Sequence, residues 1–362
     1  MGCQTKNILI CSRLGILSLI CCSFLFSQPI YGQKNKTDEE KKITAKVFPY
    51  INYSRTLELQ MGIVGSMMYR LTEKDTISPK SMSGVMGLYT TNDSYLVGTF
   101  HRWFLHEDDW RITFYLMNGT QRAQVYVSEV EQPGFTDYAS NITIINLSVL
   151  RRIKKQWYGG LGFTYNIAST AFEDTEEPDK SNYLGFLVQS SIDKRNQIYY
   201  PTKGSLTNIK WNSFPTALGN DEDINLISVS YNKYMDFPNN NNILAFRGHA
   251  KFGLGALNFE RQVVIGGKDI RGYSDGKYRG DGIFALQGEY RLNFNNNMGI
   301  VGFLGAATIF GSTNEEFNGK LYPGIGMGYR YTIFKEDNFN IGLDGALGKD
   351  DWGIYFRIGE SF

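Results

Sequence analysis

From Leu59 to Phe362, apolar and polar residues alternate with a period of two in segment after segment. Along 284–294, Phe284, Leu286, Tyr290, Leu292 and Phe294 share one face, and Gln287, Glu289, Arg291 and Asn293 share the other. Along 321–333, Leu321, Ile325, Met327, Tyr329, Tyr331 and Ile333 oppose Tyr322, Gly324, Gly326, Gly328, Arg330 and Thr332. Along 339–347, Phe339, Ile341, Leu343 and Leu347 oppose Asn340, Gly342, Asp344 and Ala346. The last segment sets Trp352, Ile354, Phe356, Ile358 and Phe362 against Asp351, Tyr355, Arg357 and Ser361. Successive side chains of an extended chain point to opposite faces, so this period predicts strands. Their length, roughly 10 residues, is what a tilted strand needs to cross a hydrocarbon layer. One face is rich in Tyr, Phe and Trp, as at membrane interfaces, while the other carries Arg, Glu, Asp and glycine, as in a wet lumen.

About 16 such cores are predicted, an even number typical of single-chain outer-membrane barrels. They lie near 59–71, 82–91, 94–105, 109–118, 121–129, 139–153, 156–168 and 182–193. The remainder lie near 204–214, 224–236, 241–254, 283–294, 298–311, 320–333, 337–347 and 351–362. Asn92-Asp93, Lys154-Lys155, Pro238-Asn239-Asn240 and Asn295-Asn296 read as tight turns, and 172–182 and 255–282 as longer loops. Short turns on the periplasmic side and long loops outside are the expected asymmetry, which puts both chain ends in the periplasm. The fold class expected is therefore all-β, a transmembrane antiparallel β-barrel.

The N-terminus supports export. Lys6 and Arg13 precede an apolar run over 14–26, and 29–32 then offers turn-forming or small residues. Such a run is too short for a membrane span and has the layout of a cleaved signal, so residues 1–32 are expected to be a signal peptide. Residues 33–46 read as a polar periplasmic tether and 47–362 as the barrel. Cys3, Cys11, Cys21 and Cys22 all fall inside the signal, leaving the mature chain without a disulfide, thiol nucleophile or thiolate metal site. From Val47 onward no run of about 18 apolar residues exists, so no transmembrane helix is expected. Aromatic residues make up 14%, glycines number 39 and the net charge is +1, so nothing favours nucleic-acid binding.

Catalytic chemistry finds little to rest on. His101, His106 and His249 lack metal-like spacing and read as solvated or lumen-facing, and Asp221-Glu222-Asp223 lacks the ligand pattern of a dedicated calcium site. Gly324-Ile325-Gly326-Met327-Gly328 superficially resembles a nucleotide loop but sits inside an alternating strand with no helix after it. No metal, cofactor or catalytic set is expected.

One segment asks for a reason: the connection after 241–254 is about 27 residues long and contains Gly266, Gly267, Ile270, Arg271, Gly272 and Tyr273. Folded back into the lumen, Arg271 would reach an acidic residue such as Glu289 or Asp344, since a guanidinium away from water needs a carboxylate. A solvated surface turn with an incidental arginine fits the spacing equally.

Those residues, with Gly280 and Gly288-Glu289-Tyr290-Arg291, resemble the BamA/TamA-like bacterial surface antigen superfamily. So does Asp193-Lys194-Arg195-Asn196 with Tyr200-Pro201-Thr202-Lys203-Gly204, similar to that family's turn motif, in which Asp193, Arg195, Pro201 and Gly204 are the matching positions. Phe48-Pro49 and Tyr53 leading into Gly62 match more weakly, and a terminal Phe362 is similar to the ending of barrels handled by the outer-membrane assembly machinery. The resemblance implies that the long loop inserts into the lumen between the eleventh and twelfth strands. The family's F-x-D-x-G pattern is absent at Phe303-Leu304-Gly305, which makes Glu289 the preferred partner of Arg271. A short member lacking POTRA modules is implied, because only the tether precedes the barrel. The function expected is assistance in inserting or translocating proteins or lipids at the outer membrane, with membrane lipids and a periplasmic partner or assembly machinery as partners. The competing expectations are a passive pore, a structural scaffold for a periplasmic partner, or, least supported, an enzyme.

Overall fold

The computed structural model describes residues 43–362 apart from 56, 128–133, 173–177, 238–241, 256, 258–260, 268, 275–276 and 296. The expected signal, most of the expected tether and the Pro238-Asn239-Asn240 turn lie outside the described residues. Alternation in the sequence becomes a run of antiparallel strands: β1 (Ile43–Ser54), β2 (Glu58–Tyr69), β3 (Ser81–Thr90), β4 (Tyr95–Leu105), β5 (Trp110–Val127), β6 (Gly134–Lys154), β7 (Trp157–Phe172) and β8 (Asp179–Asp193). There follow β9 (Gly204–Phe214), β10 (Ile224–Phe237), β11 (Asn242–Leu254), two short loop strands β12 (Val263–Val264) and β13 (Arg279–Gly280), then β14 (Gly282–Asn295), β15 (Met298–Phe310), β16 (Tyr322–Phe334), β17 (Phe339–Gly348) and β18 (Asp351–Ile358). Each long strand pairs with its neighbour in sequence, β11 pairs with β14, and β1 meets β18, so sixteen strands close a barrel. Only a closed barrel or a helix satisfies every backbone group in lipid. No helix among the described residues is long and apolar enough to cross a membrane.

The outward face is apolar and exposed: Leu161 is 67% exposed, Leu304 66%, Met327 71% and Leu347 63%. Alternate inward positions such as Arg291, Arg330 and Asp344 are buried. β5 and β6 span 18 and 21 residues, well beyond what a bilayer requires, so they project past it.

The expected number of strands is reached through two compensating errors. β1 was read as tether up to Lys46, because Pro49 and the nearby lysines mask its alternation. Proline is tolerated at a sheet edge, and β1 has one. The cores at 109–118 and 121–129 are a single strand, β5, because Asn118-Gly119 is not a turn. A Cβ at Gly119 would collide with the carbonyl of Tyr95, so the glycine lets two strands approach. This shift in parity places the Asn92-Asp93 turn at the mouth opposite Lys154-Lys155. The strands flanking 173–177 also extend further than expected, leaving a shorter loop there. Phe339 points inward against Met68 and Phe334, where a bulge between Thr332 and Phe334 reverses the register. His101 lies on the outward face, stacked on Trp103 at 4.9 Å and hydrogen-bonded to Ser83 and Thr99, each at 2.8 Å. The strand expected to reach Phe362 stops at Ile358.

Candidate functional site

Between β11 and β14 the chain turns back among the inward side chains of the last strands. Val263, Ile265, Ile270, Tyr273 and Tyr278 form a buried cluster with Ile283, Ala285, Ala307, Ile309 and Tyr322 on β14–β16. Burying apolar side chains of this size stabilises the segment by about 1.5–3 kcal/mol each, which offsets part of the cost of ordering its backbone. Gly266, Gly267 and Gly272 have positive φ (145°, 63° and 105°), which aims Arg271 at the wall. The floor is also glycine. A Cβ at Gly324 would strike the carbonyl of Arg271, and one at Gly348 would come within 2.7 Å of the Tyr273 ring. Of the Gly324–Gly328 repeat, Gly324 lies under the loop, Gly326 makes room for Phe303, and Gly328 for Asp344 and Arg330.

Arg271 is fully buried. Its Nη2 donates to Glu289 Oε2 (2.6 Å), its Nη1 to Asp344 Oδ2 (2.7 Å) and its Nε to Gln287 Oε1 (3.1 Å). The Phe303 ring lies 3.3 Å from the guanidinium carbon, on the phenylalanine of the motif whose aspartate is missing. Asp344, on β17, stands beside Glu289 as a second acceptor, so Arg271 meets both of the carboxylates named for it rather than Glu289 in preference. Three further arginines share these carboxylates. Arg291 Nε donates to Glu289 Oε1 (2.8 Å), Arg330 Nη1 to Asp344 Oδ1, and Arg357 Nε to Asp344 Oδ2 (3.2 Å). Arg330 Nε also donates to Glu360 (3.0 Å). Arg330 and Arg357 sit at inward positions of an alternating pattern, which is the signal that pointed to them.

The loop tip continues to the barrel's closing strands. Gly272 N–H donates to the Tyr355 hydroxyl (3.0 Å), the Tyr273 hydroxyl to Pro323 O (2.6 Å), and Ser274 N–H to Asp351 (2.8 Å). Ser274 Oγ accepts the N–H of Arg55, in the β1–β2 turn, at 3.1 Å. The loop thus ties β14, β16, β17 and β18 to the start of the barrel.

The closure itself is thin. β1 and β18 are in ladder register only at Tyr53 opposite Ile354 and Ser54 opposite Gly353, whereas β17 and β18 pair from Ile341 opposite Ile358 to Gly348 opposite Asp351. Side chains add to it: Tyr53 stacks on Trp352 at 4.6 Å, Tyr50 meets Phe356 edge-on at 5.3 Å, and the Phe356 N–H donates to Asn52 Oδ1 (3.3 Å). Just after β18 the chain leaves the wall. Gly359 takes a left-handed conformation (φ 80°) and its N–H donates to Asn340 O, which bends the chain inward. Glu360 then accepts from Arg330 and Asn340, and Phe362 O accepts from Arg291 (3.0 Å). The arginine cluster holds these last residues away from β1. Phe362 therefore lies inside the mouth rather than on the outward face.

The other motif closes the mouth that carries Ile43 and Ile358. Asp193 accepts both Arg195 Nε (2.9 Å) and Nη2 (2.8 Å), and also Arg111 Nη1 (2.7 Å). Gly204 has φ 97°, and a Cβ there would strike the carbonyl of Lys194. Pro201 is buried, Tyr199 hydroxyl donates to Lys80 O (2.7 Å) and Tyr200 hydroxyl to Asn293 (3.0 Å), so the β8–β9 turn reaches far across the opening. His249 is buried beside Asp269 and Arg247. Asp223 accepts the Thr216 N–H. Among the described residues no cluster of side chains could hold a metal ion.

The Omp85 superfamily domain matches residues 82–362. No curated protein matches the chain. Among solved structures it is similar to BamA from Haemophilus ducreyi lacking POTRA domains 1-3, at 13% identity and a TM-score of 0.56, over 98% of this chain and 79% of that one. It is also similar to CdiB from Acinetobacter baumannii (15%, TM-score 0.58, 87% of this chain and 59% of that one). CdiB from Escherichia coli matches at 11% identity with a TM-score of 0.64, over 90% of this chain and 63% of that one. The chain thus spans less than two thirds of either CdiB, and the likeness is one of fold. By the match over 82–362, the chain belongs to the Omp85 superfamily and is an outer-membrane β-barrel.

Proposed function

We propose that this barrel assists the insertion or translocation of proteins, or of lipids, at the outer membrane by opening its β1–β18 seam to an incoming strand. The observation that carries this reading is the two-residue ladder at the seam. Every other junction of the barrel carries a ladder of at least eight register pairs, in keeping with the need to pair backbone groups in lipid. Along β1 from Ile43 to Asn52 the edge facing β18 has none, and an unpaired edge is a template for another strand. Opening would break few hydrogen bonds, each worth about 1 kcal/mol net, against the much longer ladders at every other junction. Because the remaining pairs cluster at Tyr53 and Ser54, near Arg55 and Ser274, the seam would part from the mouth carrying Ile43 and complete its opening by breaking those two pairs beside the loop. That mouth would face the periplasm. The arginine cluster would hold the last residues of the chain aside, keeping the β1 edge free.

A scaffold for a periplasmic partner is the second reading. The β8–β9 turn across one mouth and the loop against the wall favour it over an open pore.

The test is folding of a small client β-barrel into vesicles that contain this protein. A cysteine-free background carrying Tyr53→Cys and Ile354→Cys, which are register partners, can be locked by oxidation. Client folding should be fast when the pair is reduced, slow when oxidised, and fast again on re-reduction. Equal rates in both states would remove the seam from the mechanism. High conductance without client acceleration would indicate a pore.

A further inference from the structure

Away from the arginine cluster, the wall from β4 to β9 borders an open cavity of about 390 Å³ on the lumen side. Its lining includes Arg102 on β4, Arg111 on β5, Arg195 from the β8–β9 turn and Lys210 on β9, and no carboxylate. Arg111 and Arg195 are already bound to Asp108 and Asp193. Arg102 and Lys210 are different: neither makes a hydrogen bond or ion pair with another described residue. The two repel one another, and the other charge acting on Lys210 is a further cation, Arg247.

Their surroundings are suited to an anion. Gln189 stands in register beside Lys210, and Asn208 and Asn212 flank it at the adjacent inward positions of β9. These amides supply neutral donors without adding negative charge. A cleft lined by one sign of charge focuses field lines and concentrates counter-ions there. An arginine fork with a lysine ammonium and amide donors is chemistry that recognises phosphate oxygens. The charges acting on Lys210 are cations, whereas Asp193 and Tyr199 also act on Arg102 beside Arg195 and Arg111, so the cavity keeps an excess of positive charge that a group carrying two negative charges would balance.

From this placement we infer that the cavity between Arg102 and Lys210 binds a phosphate-bearing dianion. This inference stands apart from the seam, which lies on the opposite arc of the barrel. The phosphate belongs either to a small soluble molecule or to a lipid headgroup reaching into the lumen.

The test is titration calorimetry of the refolded full chain in detergent at constant ionic strength, with pyrophosphate, inorganic phosphate and dihexanoyl phosphatidic acid as probes. Saturable binding of pyrophosphate, weakened at least tenfold by Arg102→Gln or Lys210→Gln and retained by Lys210→Arg, is the expected result. The same dependence seen with the phosphatidic acid alone would assign the site to a lipid headgroup. Heat-modified gel migration establishes that each variant is folded. Absence of binding by all three probes, or binding undiminished in the folded Arg102→Gln/Lys210→Gln double variant, overturns the assignment.

Discussion

Replacing Arg271 by alanine removes three hydrogen bonds and a ring contact from a fully buried position. Breaking a buried pair costs about 3–5 kcal/mol, chiefly because a partner is left uncompensated. Here the carboxylates are not abandoned. Glu289 keeps Arg291, and Asp344 keeps Arg330 and Arg357. The cluster of Arg271, Arg291, Arg330 and Arg357 against Glu289, Asp344 and Glu360 has four positive and three negative charges, so losing Arg271 leaves it neutral. The expected cost is therefore near the lower end, about 3 kcal/mol. Asp344→Asn does the reverse: three guanidinium groups lose their shared acceptor and an excess of two positive charges stays buried, for a cost near 5 kcal/mol. Arg271→Lys keeps the charge but cannot reach all three acceptors, and should fall between the parent and Arg271→Ala. Urea unfolding in detergent, followed by heat-modified gel migration, measures this. With a slope of about 2 kcal/mol per molar, Arg271→Ala should lower the midpoint by about 1.5 M. An unchanged midpoint, or an Arg271→Ala variant weaker than Asp344→Asn, would refute the argument that charge balance governs this cluster.

Leu343 is exposed on the outward face of β17, so Leu343→Arg should cost about 2–4 kcal/mol if it meets the bilayer centre; equal folding yield into vesicles would refute that placement. Gly348→Val should push Tyr273 and the loop off the wall, exposing 255–281 to trypsin, and an unchanged digestion pattern would show that the glycine floor is dispensable. Burial alone would raise the Asp75 carboxyl, but hydrogen bonds from Ser78, Glu107 and Ile77 hold it at about 2. A depressed carboxyl adds stability above its ordinary 3.8 that is lost as pH falls through about 2, so this tie between the β2–β3 loop and the β4–β5 turn should survive mild acid. The Ser78 amide resonance should titrate near 2, and a midpoint near 3.8 would mean that the bonds do not form.

Period-two alternation was enough to read the barrel, because lipid on one side and lumen on the other impose a strict pattern on every strand. It failed where a residue obeyed a second constraint. Pro49 looks like a break in a strand but marks an edge, and Gly119 looks like a turn but lets neighbours approach. Phe339 follows the alternation in sequence and escapes it through a bulge that no local signal announces. Around the loop, Arg271, Glu289 and Asp344 could be named from charge and position. Glycines 324, 326 and 328 were visible only as a repeat, since the room they leave has meaning only once Arg271, Phe303 and Asp344 come to fill it. Arg330, Arg357 and Glu360 appeared as ordinary inward polar residues, because strands distant in sequence bring them together. Nor could the sequence show that Gly359 turns the chain inward, away from β1, just past the thin seam.

The most direct test of the seam asks where a client strand touches the barrel. A photo-activatable residue placed at Ile51, on the unpaired edge of β1, is compared with one at Leu161, equally outward but on the fully paired β7. During client insertion into vesicles, the account expects cross-links to the client from position 51 and none from position 161. Equal yields from both positions, or none from position 51, would contradict it.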